Sequence, residues 1–330
     1  MRVLVTGACG FIGSHFVRRL VAGGDDVVVL DKLTYSGNPA NLTSVEHTFV
    51  QGDIADAQAV AEAGAGCEAI VNFAAETHVD RSILEARDFI RTDVEGTQVL
   101  LERARATGAR FVQVSTDEVY GDVPAGCSSS EEDALRPSSP YAASKAGGDL
   151  QVLAYVRTYG VNASITRGSN TYGPNQYPEK LIPLFVTNAL DGEPLPVYGD
   201  GRQTRDWLHV EDHCAAVDLV LRRGACGEIY NVGGGEEREN LELTRRILDL
   251  TGRDESLVRH VEDRPGHDRR YSLDSSKLRG LGWRPQRVFE DGLAQTVEWY
   301  REHRDWWEPL KSGEYRAYYE RQYAERLGVA

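Results

Sequence analysis

The N-terminal stretch RVLVTGACGFIG, residues 2–13, decides the fold. Its first five residues are mainly aliphatic, which predicts a buried strand, and the apolar periodicity that follows predicts a helix to about residue 22. Between them, Gly7, Gly10 and Gly13 let the backbone turn tightly and come close to a ligand. The N–H groups and dipole at a helix N-terminus favour a pyrophosphate there. A tight structural turn is the alternative interpretation of the three glycines alone.

The next predicted strand, residues 26–30, ends in Asp31. An acid at this distance past the glycines binds the ribose diol of an adenosine, and it would repel a 2′-phosphate. The pattern therefore favours NAD over NADP, although Lys32 acts in the opposite direction. Strand patterns continue, with helical patterns between them, at residues 45–50, 68–73, 111–114 and 162–167. This alternation predicts an α/β protein with a Rossmann-like, doubly wound parallel sheet.

The chain changes character after residue 168, where regular alternation stops and a loop rich in Gly, Pro, Asn and Gln follows. We expect residues 1–168 to form an NAD-binding Rossmann domain, to which the chain returns at about residues 206–234. The remainder of 169–330 is expected to form a smaller C-terminal substrate-binding lobe. The aromatic run between residues 299 and 323 is expected to cap that lobe.

Composition narrows the possible partners and the compartment. The chain has 51 acidic against 37 basic residues, a net charge of −14, which argues against nucleic acid or an anionic membrane as partner. Five cysteines without C-x-x-C pairs or His spacing predict neither a disulfide framework nor a metal site. There is no apolar run of membrane length and no signal-peptide pattern, so we expect a cytoplasmic protein.

A second stretch, STDEVYG at residues 115–121, carries more polar chemistry than a fold needs. It follows a predicted strand, so Thr116, Asp117 and Glu118 should reach the carboxyl edge of the sheet, where α/β proteins bind ligands. Tyr141 and Lys145 open a predicted helix and lie one turn apart on one face. The ammonium can lower the pKa of the phenol, which would make it a base near neutral pH.

The glycine pattern, together with Tyr141 and Lys145, resembles the extended short-chain dehydrogenase/reductase family. Within it, the adjacent Asp117 and Glu118 resemble the dTDP-glucose 4,6-dehydratases, because related sugar epimerases lack this acid pair. Thr171 is a departure, since an asparagine is expected there. The other segments that carry the resemblance are DKLTYSGN at 31–38, PEKLIP at 178–183, RDW at 205–207, RPGHDRRY at 264–271 and WWEPLK at 306–311.

The resemblance implies NAD as cofactor and a nucleotide diphospho-sugar, with dTDP-glucose favoured, as substrate. The residues it implies at the cofactor are Gly7, Gly10, Phe11, Ile12, Gly13, Asp31, Lys32, Thr34, Gly37, Asp53, Ile54, Ala74, Ala75, Tyr141 and Lys145. Those it implies at the substrate are Ser82, Thr116, Asn170, Glu179, Lys180, Leu181, Arg205, Asn240 and His267. Chemistry also favours Arg205, because a guanidinium can bind a pyrophosphate through two parallel hydrogen bonds. The residues alone leave Asp53 open as a polar turn and Ser82 as a helix cap.

The implied activity is an NAD-dependent dehydration that leaves a 4-keto-6-deoxy sugar. Tyr141, assisted by Lys145 and Thr116, would take the 4-hydroxyl proton while C4 is oxidised. Glu118 would then remove the C5 proton, which the ketone makes acidic, and Asp117 would protonate the departing 6-hydroxyl. The alternatives are a UDP-sugar 4-epimerase, a UDP-glucuronate decarboxylase and a catalytically silent NAD-binding sensor.

The resemblance further implies a homodimer held by a four-helix bundle. The predicted helices at residues 86–106 and 141–159 would pack against their copies in a second subunit. The second helix contains Gly147 and Gly148, and a glycine in a helix interior costs about 1 kcal/mol against alanine. Close approach of another helix at this point would offset that cost.

Overall fold

The structure is a computed structural model that describes residues 1–327. Twelve strands are β1 (Arg2–Thr6), β2 (Asp26–Asp31), β3 (Thr48–Gln51), β4 (Ala69–Asn72), β5 (Arg110–Thr116), β6 (Ala163–Gly168), β7 (Asn170–Tyr172), β8 (Leu195–Tyr198), β9 (Thr204–His209), β10 (Ile229–Val232), β11 (Glu237–Glu239) and β12 (Val258–Val261) within that range. The α-helices described are α1 (Phe11–Ala22), α2 (Ala57–Ala63), α3 (Val79–Leu84), α4 (Arg87–Ile90), α5 (Thr97–Thr107), α6 (Pro140–Tyr159), α7 (Leu181–Asp191), α8 (Val210–Arg223), α9 (Asn240–Thr251), α10 (Ser276–Gly280), α11 (Phe289–Glu302), α12 (Arg304–Trp307) and α13 (Glu314–Leu327).

The main sheet has seven parallel strands in the order β3-β2-β1-β4-β5-β6-β10. The chain builds outward from β1 to β3, then crosses back to β4 on the other side of β1. This reversal leaves a crevice at the carboxyl ends of β1 and β4, which is where doubly wound sheets bind ligands. The Rossmann-like fold predicted from the alternation of strands and helices is confirmed.

Apolar layers cover both faces of this sheet. Successive side chains of a strand point to opposite faces. Val3 and Val5 therefore pack with Phe16 of α1 on one face. Leu4 packs with Leu100 of α5 on the other. Strands buried on both faces read as continuous apolar runs, which is why β1 could be predicted from sequence.

The smaller lobe contains two further sheets and its own core. β9 pairs with β7 and β11, and β8 pairs with β12. The third apolar cluster includes Phe185 of α7, Ile247 of α9, Leu293 of α11 and the fully buried Trp307. Between these elements the chain rejoins the main sheet, because α8 contributes to the core beside α1 and β10 pairs with β6.

The predicted helix at residues 86–106 is interrupted by a π-helical turn, Arg91–Gly96. A Cβ added to Gly148 of α6 would lie 2.7 Å from the carbonyl oxygen of Asp93 in this turn, and one added to Gly147 would lie 2.8 Å from Val94. The two glycines therefore allow close helix contact within one chain, which offsets their cost in α6. The predicted strand at 45–50 was also imprecise, because β3 begins only at Thr48.

Candidate active site

A long cavity lies at the carboxyl edge of the main sheet, above the crevice between β1 and β4. Every residue that the sequence predicts at the cofactor lines it, from the glycine loop to Tyr141 and Lys145. Glu76 and Thr77 line it as well, and sequence reasoning missed them. They follow β4 at the carboxyl edge of the sheet. Because α/β proteins bind ligands at this edge, the reasoning that pointed to Thr116 could have found them as well.

The glycine loop is shaped so that only glycine fits at two of its positions. Gly7 has φ +65°, and a Cβ there would lie 2.5 Å from the backbone nitrogen of Ala74. A Cβ on Gly13 would lie 2.6 Å from the carbonyl oxygen of Gly7. The N-cap of α1, Gly10, offers no side chain to the first N–H groups of the helix. These N–H groups remain available to an anion in the cavity.

Asp31 stands at the end of β2 with both carboxylate oxygens oriented by backbone N–H groups. Its Oδ2 accepts from Cys9 at 2.8 Å, and its Oδ1 accepts from Leu33 at 2.8 Å. Burial raises the pKa of Asp31, and the two N–H groups oppose that rise. Lys32 is paired with Asp53, with 3.2 Å between Nζ and Oδ2, so its charge is partly neutralised. This arrangement fits the adenosine ribose of NAD.

The five predicted catalytic residues meet at the other end of the cavity. The Thr116 hydroxyl, at the end of β5, donates to Asp117 Oδ1 (3.2 Å) and accepts from the N–H of Glu118 (3.3 Å). Tyr141 lies in the first turn of α6 and Lys145 one turn further, and all five line the cavity. The structure therefore brings a hydroxyl, two carboxyl groups, a phenol and an ammonium to one wall.

Asp117 and Glu118 are adjacent in sequence but differ in their surroundings. Burial raises the pKa of Asp117 well above its usual value, and the neighbouring Glu118 carboxylate adds to the rise. Burial also raises the pKa of Glu118, but Arg264, Lys180 and Arg205 oppose it. Asp117 is thus the better candidate for the protonated acid, and Glu118 for the ionised base.

The predicted effect of Lys145 on Tyr141 is not seen in the chain alone. Burial raises the pKa of Tyr141 well above its usual value, with Glu118 and Asp93 adding to the rise and a hydrogen bond with Thr116 opposing it. The Lys145 ammonium instead donates to the carbonyl oxygen of Val114 at 2.9 Å. The nearby carboxylates therefore affect the pKa of the Tyr141 phenol more than the Lys145 ammonium does.

A second cavity reaches into the smaller lobe and shares Glu118, Asn170, Glu179 and Lys180 with the first. The predicted substrate residues Leu181, Arg205, Asn240 and His267 line this second cavity, together with residues that sequence reasoning did not assign to the substrate, Phe185, Pro196, Tyr198 and Tyr323. Most of these come from distant elements of the lobe, and no local motif marks them.

Ser82 lines neither of the two cavities, so its substrate contact stays a prediction. Its buried hydroxyl donates to the carbonyl oxygen of Val79 at 2.6 Å and accepts from the backbone N–H of Tyr141 at 3.1 Å. The hydroxyl is therefore used within the protein. Ser82 thus satisfies one N–H group in the first turn of α6, whose N-cap is Ser139, and this contact helps to place Tyr141.

Arg205 is the strongest anion-binding candidate in the second cavity. Its guanidinium donates to the carbonyl oxygens of Thr204 (2.8 Å) and Asp268 (3.0 Å) and lies 4.3 Å from the ring centroid of Tyr271. These groups hold the guanidinium in place without neutralising its charge. A buried charge held in this way is suited to a pyrophosphate.

Comparisons with known proteins agree with this geometry. The model of the family described as GDP-mannose 4,6 dehydratase matches residues 4–296. A dTDP-glucose 4,6-dehydratase from Streptomyces niveus is 57% identical over 324 residues, covering 94% of this chain and 96% of the relative. The chain belongs to the dTDP-glucose 4,6-dehydratase family.

Solved structures of this family superpose closely. DesIV, a dTDP-glucose 4,6-dehydratase from Streptomyces venezuelae with NAD bound, has a TM-score of 0.92 at 59% identity, covering 94% of this chain and 100% of its own. A dTDP-glucose 4,6-dehydratase from Bacillus anthracis in complex with NAD has a TM-score of 0.89 at 44% identity, covering 94% of this chain and 100% of its own.

Thr171, where the family pattern predicts asparagine, lines the cofactor cavity, and its hydroxyl lies 2.8 Å from Nδ1 of the buried His213. The described residues contain no group of three or more His, Cys, Asp or Glu side chains that could hold a metal ion. In that same part of the chain, no helix is long and apolar enough to cross a membrane.

Proposed function

We propose that this protein uses NAD to dehydrate dTDP-glucose to dTDP-4-keto-6-deoxy-glucose. The observation that carries the proposal is the adjacent pair Asp117 and Glu118 beside Tyr141, in which burial raises the pKa of Asp117 well above its usual value while three cations oppose the raised pKa of Glu118. Loss of water needs a base at one carbon and an acid at the next. Membership of the dehydratase family supports the same reaction.

The chemistry divides among residues of this chain. When bound, NAD supplies a hydride acceptor and a positively charged ring, which would lower the pKa of a phenol beside it. Tyr141 takes the proton of the sugar 4-hydroxyl, with Thr116 as its hydrogen-bond partner and Lys145 one turn away. Glu118 removes the C5 proton, and Asp117 gives its proton to the departing 6-hydroxyl.

The alternatives are supported less well by these residues. A UDP-sugar 4-epimerase or a UDP-glucuronate decarboxylase shares the oxidation at C4, but neither needs an acid paired with a base for loss of water. A silent NAD-binding sensor would have no use for Thr116, Tyr141 and Lys145 on one wall of the cavity. Absence of turnover with every nucleotide sugar would favour the sensor.

An isotope experiment tests the dehydration directly. dTDP-glucose carrying deuterium at C4 is expected to give a product with deuterium at C6, and reaction in heavy water is expected to label C5. The reason is that hydrogen removed at C4 is returned at C6 of the same sugar, while the C5 proton exchanges through Glu118. Mass spectrometry and NMR of the product measure both labels. Deuterium that remains at C4 would contradict the proposal.

Arg205→Ala is expected to weaken binding of the nucleotide sugar by roughly 2–5 kcal/mol, because a buried charge-assisted partner of the pyrophosphate is lost. Calorimetry with dTDP measures the change, and the amount of bound NAD should stay near that of the parent. Arg269→Ala is the matched control, since Arg269 is exposed and paired with Asp200. An equal loss of NAD binding and dTDP binding would instead indicate misfolding.

We also propose a domain organisation, an assembly and a compartment. Residues 1–168 with about 206–234 would form the NAD-binding domain, and the rest mainly the substrate-binding lobe. A cytoplasmic homodimer would form through a four-helix bundle. Each subunit would contribute α6 and the interrupted helix that runs through α4, the π-helical turn and α5. The apolar side chains of Ile90 and Leu150 are 59% and 57% exposed on these helices, which supports that interface. Light scattering that gives the mass of a monomer would contradict the dimer.

A further inference from the structure

Three segments that are distant in sequence meet around Arg81 of α3. The cofactor loop, residues 32–38, lines the first cavity through Thr34, Ser36 and Gly37. The substrate loop, residues 176–181, contributes to both cavities. The third segment is helix α13. Arg81 itself lines neither cavity.

The guanidinium of Arg81 contacts all three segments at once. Its Nε donates to Glu179 Oε2 of the substrate loop at 3.0 Å. The guanidinium carbon lies 3.8 Å from the ring centroid of Tyr35 in the cofactor loop and 4.4 Å from that of Tyr318 in α13. The side chains of Arg81 and Glu179 are 17% and 1% exposed. Cation–π contacts and ion pairs are strongest when they are shielded from water in this way.

Neighbouring contacts tie the same segments together. A ring nitrogen of His78 lies 3.3 Å from the carbonyl oxygen of Glu179, and the Lys180 ammonium donates to the carbonyl oxygen of Thr77. The ring of Tyr177 in the substrate loop meets Tyr35 edge-on, with 5.4 Å between centroids. The two loops therefore touch directly, and Arg81 lies at their junction.

We propose that Arg81 is a positioning residue that couples the cofactor site to the nucleotide-sugar site. By holding Tyr35 it fixes the neighbouring Thr34 and Ser36 at the cofactor cavity. By holding Glu179 it fixes a residue that lines both cavities. The proposal rests on the proposed function, and it extends that function by giving both ligands one shared support beneath α13.

Arg81→Met is expected to weaken the binding of both ligands, because it removes the charge and the flat guanidinium while keeping an unbranched side chain. It also leaves the buried Glu179 carboxylate without its ion-pair partner. We expect dTDP to bind the holoenzyme roughly tenfold more weakly, and bound NAD to dissociate roughly tenfold faster. KM for the nucleotide sugar should rise while kcat stays within a few-fold, since the contacts of Arg81 described above are with Glu179, Tyr35 and Tyr318, not with catalytic residues. Calorimetry, NAD release from purified holoenzyme and steady-state kinetics measure these effects.

Two further variants and a control separate the role of the Arg81 charge from effects on folding. Arg81→Lys retains the charge but not the planar face, so intermediate losses are expected, and it provides the test if Arg81→Met does not fold. In Arg81→Met, adding Glu179→Gln should recover part of the NAD retention, because the unpaired buried charge is gone. Arg316→Met is the matched control, since Arg316 is exposed and forms an ion pair with Glu320 of the same helix.

Each outcome separates the proposal from its alternatives. NAD release and dTDP affinity both within about twofold of the parent in Arg81→Met and Arg81→Lys would overturn it. Loss of dTDP affinity alone would overturn the coupling and make Arg81 a substrate-site residue only. A lower active fraction with unchanged affinities would indicate a merely structural role. A parent enzyme that binds neither NAD nor dTDP would refute the proposed function instead.

Discussion

Tyr141→Phe is expected to reduce turnover by roughly 100- to 10,000-fold, the range for loss of a general acid–base group. The ring keeps its packing against Phe89, with 6.3 Å between centroids, and the backbone N–H still donates to Ser82. Only the phenol oxygen is removed, so no route remains for the 4-hydroxyl proton. Substrate binding measured by calorimetry should stay near that of the parent, while NADH formation in a single turnover should be lost.

Tyr155→Phe is the matched control for this experiment. Tyr155 lies on the same helix, and its hydroxyl donates to Glu102 at 2.6 Å, outside both cavities. That variant should turn over at close to the parent rate. If Tyr141→Phe also remained within a few-fold of the parent, Tyr141 would not be the base.

Glu118→Gln is expected to stop the reaction after oxidation. Tyr141, Thr116 and Lys145 remain, so the C4 hydroxyl can still be oxidised and the NADH absorbance should rise once. The neutral amide cannot take the C5 proton, and release of water should slow by roughly 100-fold or more. The cofactor should therefore remain reduced, and the 4-keto sugar that still carries its 6-hydroxyl should accumulate.

Stopped-flow absorbance and mass analysis of the quenched sugar measure this stall. Glu132→Gln is the control, because Glu132 is an exposed acid in the loop after β5. Normal product formation by Glu118→Gln would refute its role as the base. A variant that no longer reduces the cofactor would show that Glu118 acts in the oxidation as well.

Much of the architecture could be predicted because its signals are local. The strand at residues 2–6 and the glycines at 7, 10 and 13 lie within one short stretch, so spacing alone indicates their geometry. The parallel, doubly wound sheet follows from the alternation of strands and helices and is confirmed. Thr116 ends β5, and Asp117 and Glu118 follow it directly, so the covalent chain itself places the three side by side.

The electrostatic surroundings of the two acids and the contacts of Ser82 could not be predicted in the same way. Asp117 and Glu118 are neighbours in sequence, but burial raises the pKa of Asp117 well above its usual value, whereas Arg264, Lys180 and Arg205 oppose the raised pKa of Glu118. Those cations come from segments far from the pair in sequence. Ser82 matched a family position, but it lines neither cavity and accepts the backbone N–H of Tyr141 in the first turn of α6. The site residues that the family pattern implies remain predictions of role, whereas their positions are observed.

The sequence by itself determined which chemical groups the sheet edge carries and which nucleotide the glycine loop suits. Those properties depend on residues within a few positions of one another, where covalent geometry limits the arrangements. Only the tertiary structure decided how burial and distant charges act on the two acids, which internal partners the hydroxyl of Ser82 has, and that Arg81 joins two loops under α13. Burial and long-range charge act through space, so they depend on which distant segments the completed fold brings into contact.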